Sequence, residues 1–271
     1  MQVLKPKVFM VASTMIHDPN MTEFLRIVGA PDFEPCSDAG EGVIEVGGRL
    51  CYKSFAVGLN KNVTKVRTDA FEYIKNILAQ KHGSVLEHAT ATFIIMNCSR
   101  VFTHEIVRHR AGMAVSQESM RFVRLDDIGM YYPKAFETDD SIVTKKIRQI
   151  FETTVRSCEI AIEEIGFLLK IDEQGTPFDV KKKITSALRR LAPGGHTTNI
   201  MLTGNHRAWR HVLAARTTPG VEEEMWPIMY EIGKQLKFNF PMIYQDMFLA
   251  KDETKNNGSL RDGWAFEYDK V

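Results

Sequence analysis

Residues 90–124 read Thr90-Ala-Thr-Phe-Ile-Ile-Met-Asn-Cys98-Ser-Arg100-Val-Phe-Thr-His104-Glu105-Ile-Val-Arg108-His109-Arg110-Ala-Gly112-Met-Ala-Val-Ser116-Gln117-Glu118-Ser119-Met120-Arg121-Phe-Val-Arg124. The stretch Thr90–Cys98 is rich in β-forming residues and predicts a strand. Val101–Arg110 then returns to a helical pattern, with Gly112 as a plausible C-cap. A strand that runs into a helix without a Gly-rich phosphate loop points to an α+β chain rather than a dinucleotide-binding βαβ unit. Arginines, histidines and serines crowd the second half of the stretch. A plain amphipathic helix does not need that polar density, so it suggests a site for a multiply anionic ligand.

Working outward, Asp69–Lys81 predicts a helix, because Phe71, Ile74, Ile77 and Leu78 recur at helical spacing. Val8–Ala12 reads as a short strand, Thr22–Val28 as a helical turn or two, and Glu41–Ser54 is broken by glycine and ambiguous. On the other side, Asp139–Ile171 is a long helical pattern with charged faces. Phe178–Leu191 is a second helix, stopped by Pro193-Gly194-Gly195. Thr197–Leu202 is strand-like, and Asn205–Arg216 and Glu222–Leu236 are helical. The expected architecture is α+β: a helix-rich single domain over residues 1–250 with a small sheet, not Rossmann. Residues 251–271 read as a charged C-terminal tail.

The chain has 271 residues with 44% hydrophobic content, enough for a full core. Its formal net charge is +1, yet residues 181–221 hold eight Lys/Arg and no Asp or Glu. Local positive charge on a neutral molecule suits a small anion better than a long polyanion. Cys36, Cys51, Cys98 and Cys158 are far apart and lack C-x-x-C spacing, which fits a reduced protein and argues against a zinc knuckle. No secretory pattern opens the chain, and no apolar run reaches the roughly 18 residues of a membrane span. The expected place is the cytoplasm, with no membrane contact.

Each polar cluster has a plain structural reading beside the functional one. Arg108 and Arg110 would cap the carbonyls of a last helical turn; on an ideal helix they point to opposite sides and share one ligand only if the helix ends there. His104 and His109 stand five apart and cannot chelate one metal from one helix face. No metal is expected. Glu105 and His109 are spaced four apart, and a carboxylate–imidazole pair there would favour imidazolium. On the helix after Asn205, Arg207, His211 and less directly Arg216 share one side, either as a solvated basic face or as an anion site. No acid lies in the preceding twenty residues. His82-Gly-Ser84-Val-Leu-Glu87-His88 falls between a helix and a strand, where loops carry function, or where a turn histidine takes Glu87 as a local partner.

Together these clusters resemble the flavin-dependent thymidylate synthases, over roughly residues 40–245. That family is marked by R-H-R, seven residues, then Ser; by an upstream H-x-S/T-x-x-E-H loop; and by a downstream N-x-R…R helix. The counterparts are Arg108-His109-Arg110 with Ser119, His82 to His88, and Asn205-His-Arg207 with Arg216. Strict spacing places Glu118 where the serine should be. Matching Ser-Gln-x-Ser-x-Arg from the right restores Ser119 and Arg121 and puts one extra residue within Ala111–Val115, where Gly112 makes a bulge or loop cheap. Val85 also stands where proline is common.

The resemblance implies a flavoprotein methyltransferase of dTMP biosynthesis: a homotetramer with active sites where subunits meet. It implies binding of FAD, dUMP and a methylene-tetrahydrofolate, with NADPH as reductant. Matched residue by residue, His82, Ser84, Glu87, Arg108, His109, Arg110, Ser116, Asn205, Arg207 and His211 would contact FAD. Ser119, Met120 through its backbone, Arg121 and Arg189 would hold the dUMP phosphate, with Glu105, Arg108 and Gln117 also on the nucleotide. Arg216 would address the pyrimidine ring, and with His82 would stand at the chemistry. Three phosphate-bearing or carboxylate-bearing ligands would account for the excess arginine. The rival classes are a nucleic-acid-binding module on the basic 181–216 face, a metal-dependent phosphohydrolase, and a scaffold.

Overall fold

In the computed structural model, residues 2–122, 129–250, 263–269 and 271 are described. Arg124 and residues 251–262 of the expected tail lie outside them. Along the chain run β1 (Gln2–Val3), β2 (Lys7–Ser13), α1 (Asp18–Ile27), α2 (Gly40–Tyr52), α3 (Ala70–Ala79) and a 3-10 turn (Gly83–His88). They are followed by β3 (Thr90–Ser99), α4 (Arg100–Ile106), β4 (Met113–Gln117), β5 (Gly129–Met130), α5 (Ser141–Leu168) and α6 (Phe178–Leu188). Then come β6 (Thr197–Asn205), α7 (His206–Arg216), α8 (Met225–Asn239), β7 (Met247–Ala250) and β8 (Gly263–Phe266).

Four strands form an antiparallel sheet in the order β2-β3-β6-β4. In β3, Ala91, Phe93 and Ile95 alternate onto the buried face, as a half-covered strand requires. Phe93 sits opposite Leu202 of β6, and Val115 of the edge strand β4 sits opposite Leu202 on its other side. Behind that face lies the main core, where Trp209 and Leu213 of α7, Met229 and Ile232 of α8, and Ile74 and Leu78 of α3 are fully or almost fully buried. A parallel pair also exists, β1 with β5, but it is two residues long and separate from this sheet. Nothing among the described strands has the parallel doubly wound order of a Rossmann fold.

The Gly-broken stretch at 41–54 is a helix, and tertiary packing is the reason. At Gly48 of α2 a Cβ would fall 2.8 Å from the Tyr73 hydroxyl, so the glycine admits α3 at close range. On the same helix Arg49 and Glu45 form a buried pair at 2.7 Å, and Arg49 also donates to the carbonyls of Ser54 and Arg67. The pair thus tethers the following loop. The long α5 packs with α6 around a smaller cluster of Val155, Ile162, Ile171 and Leu188.

Candidate active site

Sheet and helices meet where α4 turns into β4 and where β6 runs into α7. Ser99 caps α4, its Oγ accepting from Phe102 N at 3.1 Å. The helix ends at Ile106, with Val107 as C-cap, so the expected helix over 101–110 is too long. Arg108-His109-Arg110 instead occupies the turn that follows. Gly112 is not a helix cap either. It takes φ +69° in the reversal before β4, and its carbonyl accepts from Asn205 N at 3.1 Å. Asn205 in turn caps α7, accepting from Ala208 N at 2.8 Å. The Arg108–Arg110 turn is therefore fixed against the start of α7.

The arginines of α7 have acids after all, from distant parts of the chain. Arg207 pairs with Glu87, 120 residues away, at 2.6 Å. Arg210 makes a buried bidentate pair with Asp246 at 2.7 Å for both bonds. Arg216 pairs with Glu105, 111 residues away, at 2.8 Å. The lack of an acid in the twenty residues before this helix therefore did not leave its arginines unpaired: the acids that folding brings close are not those close in sequence. Glu87 likewise serves Arg207 rather than a turn histidine.

The expected Glu105–His109 pair does not form, because Arg216 stands between the two. Its Nε donates to His109 Nε2 at 2.8 Å, its Nη1 to Glu105 Oε2 at 2.8 Å and its Nη2 to the Glu105 carbonyl at 3.2 Å. His109 is held below the ordinary imidazole value of 6.5, through burial first, then the charge of Arg216 and the neighbouring His211 ring. The imidazolium expectation is reversed. His211 lies edge-on to His109 at 5.8 Å between ring centres, which joins this cluster to the rest of α7. Among the described residues three of the five guanidinium donors of Arg216 are used, leaving two N–H groups for a ligand.

On the other side of β4, Glu118 is fully committed to the sheet. Its carboxylate accepts from Asn199 N at 2.9 Å, Asn199 Nδ2 at 2.7 Å and Thr198 Oγ1 at 3.4 Å. The slack expected within Ala111–Val115 is not a bulge: Met113 to Gln117 pair with Gly204 to Ile200 without a register break. Any extra length lies in the Ala111-Gly112 turn. Ser119 Oγ accepts from Arg121 N at 3.3 Å, and Gln117 donates to Thr103 Oγ1 at 3.0 Å. Ser116 is exposed on β4, and Met120 packs against the α5–α6 cluster.

Arg100 was missed by the sequence reading. Its Nη2 donates to the Glu118 carbonyl at 2.9 Å, while its Nε is buried without a partner among the described residues. Burial lowers its guanidinium below the usual arginine value, Glu118 opposes that, and the charge of Arg189 adds to it. A signal was present: Arg100 is a cation in the first turn of a helix, where the macrodipole disfavours it. Arg108, Arg110, Arg121 and Arg189 are exposed and make no ion pair among the described residues.

A cavity of about 920 Å³ opens beside α7. Glu87, Asn205, Arg207 and His211 line it together with Gly112, Gly263 and Ala265. His82, Ser84 and the Arg108–Arg110 turn do not line it. His82 stacks on Tyr52 at 6.0 Å, and Ser84 is exposed in the 3-10 turn. Among the described residues no group of three or more His, Cys, Asp or Glu is placed to hold a metal ion, and no helix is long and apolar enough to cross a membrane.

The family model described as thymidylate synthase complementing protein matches residues 36–242. The chain belongs to this family. A protein of Mycolicibacterium gilvum named flavin-dependent thymidylate synthase is 33% identical over 220 residues, covering 80% of this chain and 84% of its own. One of the same name from Corynebacterium aurimucosum is 31% identical over 243 residues, covering 89% of this chain and 90% of its own. The crystal structure of a UMP/dUMP methylase, PolB of Streptomyces cacaoi, bound with 5-Br dUMP, has the same fold. Its TM-score is 0.59 at 18% identity, covering 90% of this chain and 96% of that one. The thymidylate synthase complementing match includes every expected site residue from His82 to Arg216 and stops before β7 and β8.

Proposed function

We propose that the chain is a flavin-dependent thymidylate synthase. It would convert dUMP to dTMP, with methylene-tetrahydrofolate as carbon donor, reduced FAD as hydride donor and NADPH as reductant. The observation that carries the reading is Arg216. Its guanidinium is fixed on Glu105 and His109 with two N–H donors unpartnered among the described residues, and His109 in turn touches His211, which lines the cavity with Arg207 and Asn205. The cavity has the size of a cofactor pocket, and its Arg207 and His211 are donors that suit a dinucleotide pyrophosphate. FAD, when bound, supplies the hydride.

The protein's own residues would bind and orient. Arg207, Asn205, His211, Glu87, His82, Ser84, Ser116, His109 and Arg110 would hold the flavin, with Arg108 shared with the nucleotide. Ser119, Arg121, Arg189 and Arg100 would take the dUMP phosphate, Met120 would add its backbone N–H, and Gln117 and Glu105 would flank the nucleotide. Arg216 would donate to a uracil carbonyl and stabilise negative charge developing on the ring. Glu105 and His109 would keep that guanidinium from turning away. The exposed Arg108 and Arg110 fit sites completed where subunits of a homotetramer meet, in the cytoplasm.

The nucleic-acid and scaffold readings lose support, because the arginines of α7 are paired internally. Purified protein titrated with FAD should quench flavin fluorescence. With dUMP, methylene-tetrahydrofolate and NADPH it should form dTMP, and light scattering should give a tetramer mass. FAD binding without dTMP formation would sink the synthase assignment.

A further inference from the structure

Four of the expected flavin residues, Glu87, Asn205, Arg207 and His211, form one wall of the cavity beside α7. The other wall is the β7–β8 ribbon, with Ala250, Gly263, Ala265 and Tyr268 facing Ala208 and Ala214 of α7 across the space. Small side chains on both walls leave a slot between helix and ribbon.

The ribbon is firmly attached. Trp264 is buried and stacks on Tyr230 at 5.4 Å, its indole N–H donating to the Tyr230 carbonyl at 3.2 Å. Gly233 of α8 makes room for it, since a Cβ there would fall 2.2 Å from the indole nitrogen. Trp264 N donates to Thr217 Oγ1 at 2.7 Å. The buried Arg210–Asp246 pair holds the next residues: Arg210 donates to the Tyr268 carbonyl at 3.1 Å, and Tyr268 N donates to Asp246 at 3.2 Å. Beyond them Val271 abuts Gly83, where a Cβ would fall 2.5 Å from the Val271 carbonyl carbon and 3.0 Å from Arg207 Nε. The segment therefore reaches from α8 to the His82 loop.

We propose that this ribbon is part of the cofactor site and holds the adenosine end of the FAD dinucleotide. The proposal rests on the reading of the cavity as the flavin site. A redox ring must lie near Arg216 and His109 to meet a pyrimidine, and His211 joins that cluster to the cavity. The space bounded by the ribbon is what remains for the non-redox end. Charge fixes the order within it. Arg207 gives Nη1 to Glu87 and has its remaining N–H groups to offer the phosphates. Asp269, also on the lining, would repel phosphate and accept from ribose hydroxyls. Gly263 and Ala265 leave a gap in which a flat heterocycle fits.

The test fills the slot in the full-length protein with Ala265→Trp and, separately, from the neighbouring strand with Ala250→Phe. FAD binding is read by fluorescence quenching, ADP binding by calorimetry, and retained fold by dUMP binding and thermal melting. Each variant should weaken both FAD and ADP at least about tenfold, the scale of one well-formed contact, with dUMP binding kept. Arg207→Ala is measured alongside. If Arg207→Ala loses FAD while both filled variants bind it like the parent, the ribbon is no part of the site and the flavin reading stands. If the parent binds no FAD, or Arg207→Ala changes nothing, the flavin reading fails and the proposal with it. Tighter FAD binding by either variant would also overturn the proposal. Should Ala265→Trp fail to fold, Ala250→Phe and the smaller Ala265→Leu decide.

Discussion

The Nε–H of Arg216 points at Nε2 of His109 across 2.8 Å. A guanidinium only donates, so that nitrogen must present a lone pair. His109 is then the neutral Nδ1–H tautomer, in keeping with its lowered pKa. Nitrogen NMR of the imidazole should show it neutral at pH 7 and titrating below 6.5. Arg216→Ala should raise that pKa, because a nearby positive charge is removed. The same variant should lose about 10²–10³ in turnover at saturating dUMP, the usual cost of removing a donor to developing negative charge. An imidazolium at pH 7, or near-normal turnover, would refute the assigned geometry.

Glu224 offers a different measurement. Its carboxylate is fully buried and accepts from Ser99 N at 2.7 Å and from Ser99 Oγ, and Ser99 caps the helix that carries Glu105. Burial raises its pKa to about 7 from the ordinary 4.5, although the Ser99 hydrogen bonds oppose this. The folded state thus keeps a proton that the unfolded state releases. The stability linked to it is complete below pH 4.5 and is lost as pH rises towards about 7. His206, buried and lowered to about 3, runs the other way: its stability is complete above pH 6.5 and is lost as pH falls towards about 3. Glu224→Gln should remove a slope worth on the order of 3 kcal/mol between those limits for the carboxyl. Urea unfolding at a series of pH values checks this. Parallel curves for parent and variant would mean that Glu224 does not titrate there.

Gly112 is the pivot between the Arg108–Arg110 turn and the edge strand. At φ +69° an L side chain is strained, and its Cβ would also fall 2.6 Å from Asn205 Nδ2 and 3.0 Å from Ala208 Cβ. Gly112→Ala should cost about 1–2 kcal/mol from backbone conformation alone. By pushing on Asn205 it should also weaken FAD binding. Unchanged stability and unchanged FAD affinity together would show that the turn adapts freely.

What the sequence made legible was periodic. Thr90–Cys98 and the helix with Phe71, Ile74, Ile77 and Leu78 were readable because one face of each is buried and the apolar residues mark it. The Gly-broken α2 was not, because its helix depends on close approach to Tyr73 and on a buried ion pair whose cost and gain are tertiary. The motif residues were legible as types, but their partners were not. Arg216 finds Glu105 and Arg207 finds Glu87 more than a hundred residues away, and nothing local announces that. For the same reason the imidazolium expectation for His109 failed: spacing placed Glu105 beside it, and a third residue from α7 took the position. Gly263–Phe266 was passed over although Trp264, Phe266 and Tyr268 alternate there, because charged residues surround the run and the residues that anchor it, Thr217 and Tyr230, lie far away in sequence.

Glu118 and Ser119 compete for one place at the end of β4. Counting residues after Arg110 puts Glu118 at the family serine's place; matching the following Arg121 puts Ser119 there. The fold favours the second. Glu118 spends its carboxylate on the β6 backbone and on Asn199, at 2.9 and 2.7 Å, so turning it to a phosphate would break both bonds and set like charges together. Ser119 Oγ has a backbone N–H of Arg121 as its partner and can add a phosphate oxygen. Ser119→Ala should therefore weaken dUMP binding by a charge-assisted hydrogen bond, about 1.5–3 kcal/mol or roughly 10–150-fold. It should leave FAD binding intact, and turnover at saturating dUMP should remain measurable, because the serine is a ligand and not a nucleophile. Glu118→Gln should leave dUMP affinity within a few-fold and act instead on stability, through the sheet edge. The opposite pattern, with Glu118→Gln tightening dUMP binding and Ser119→Ala silent, would place the carboxylate at the phosphate and return the extra residue to the other side of the serine.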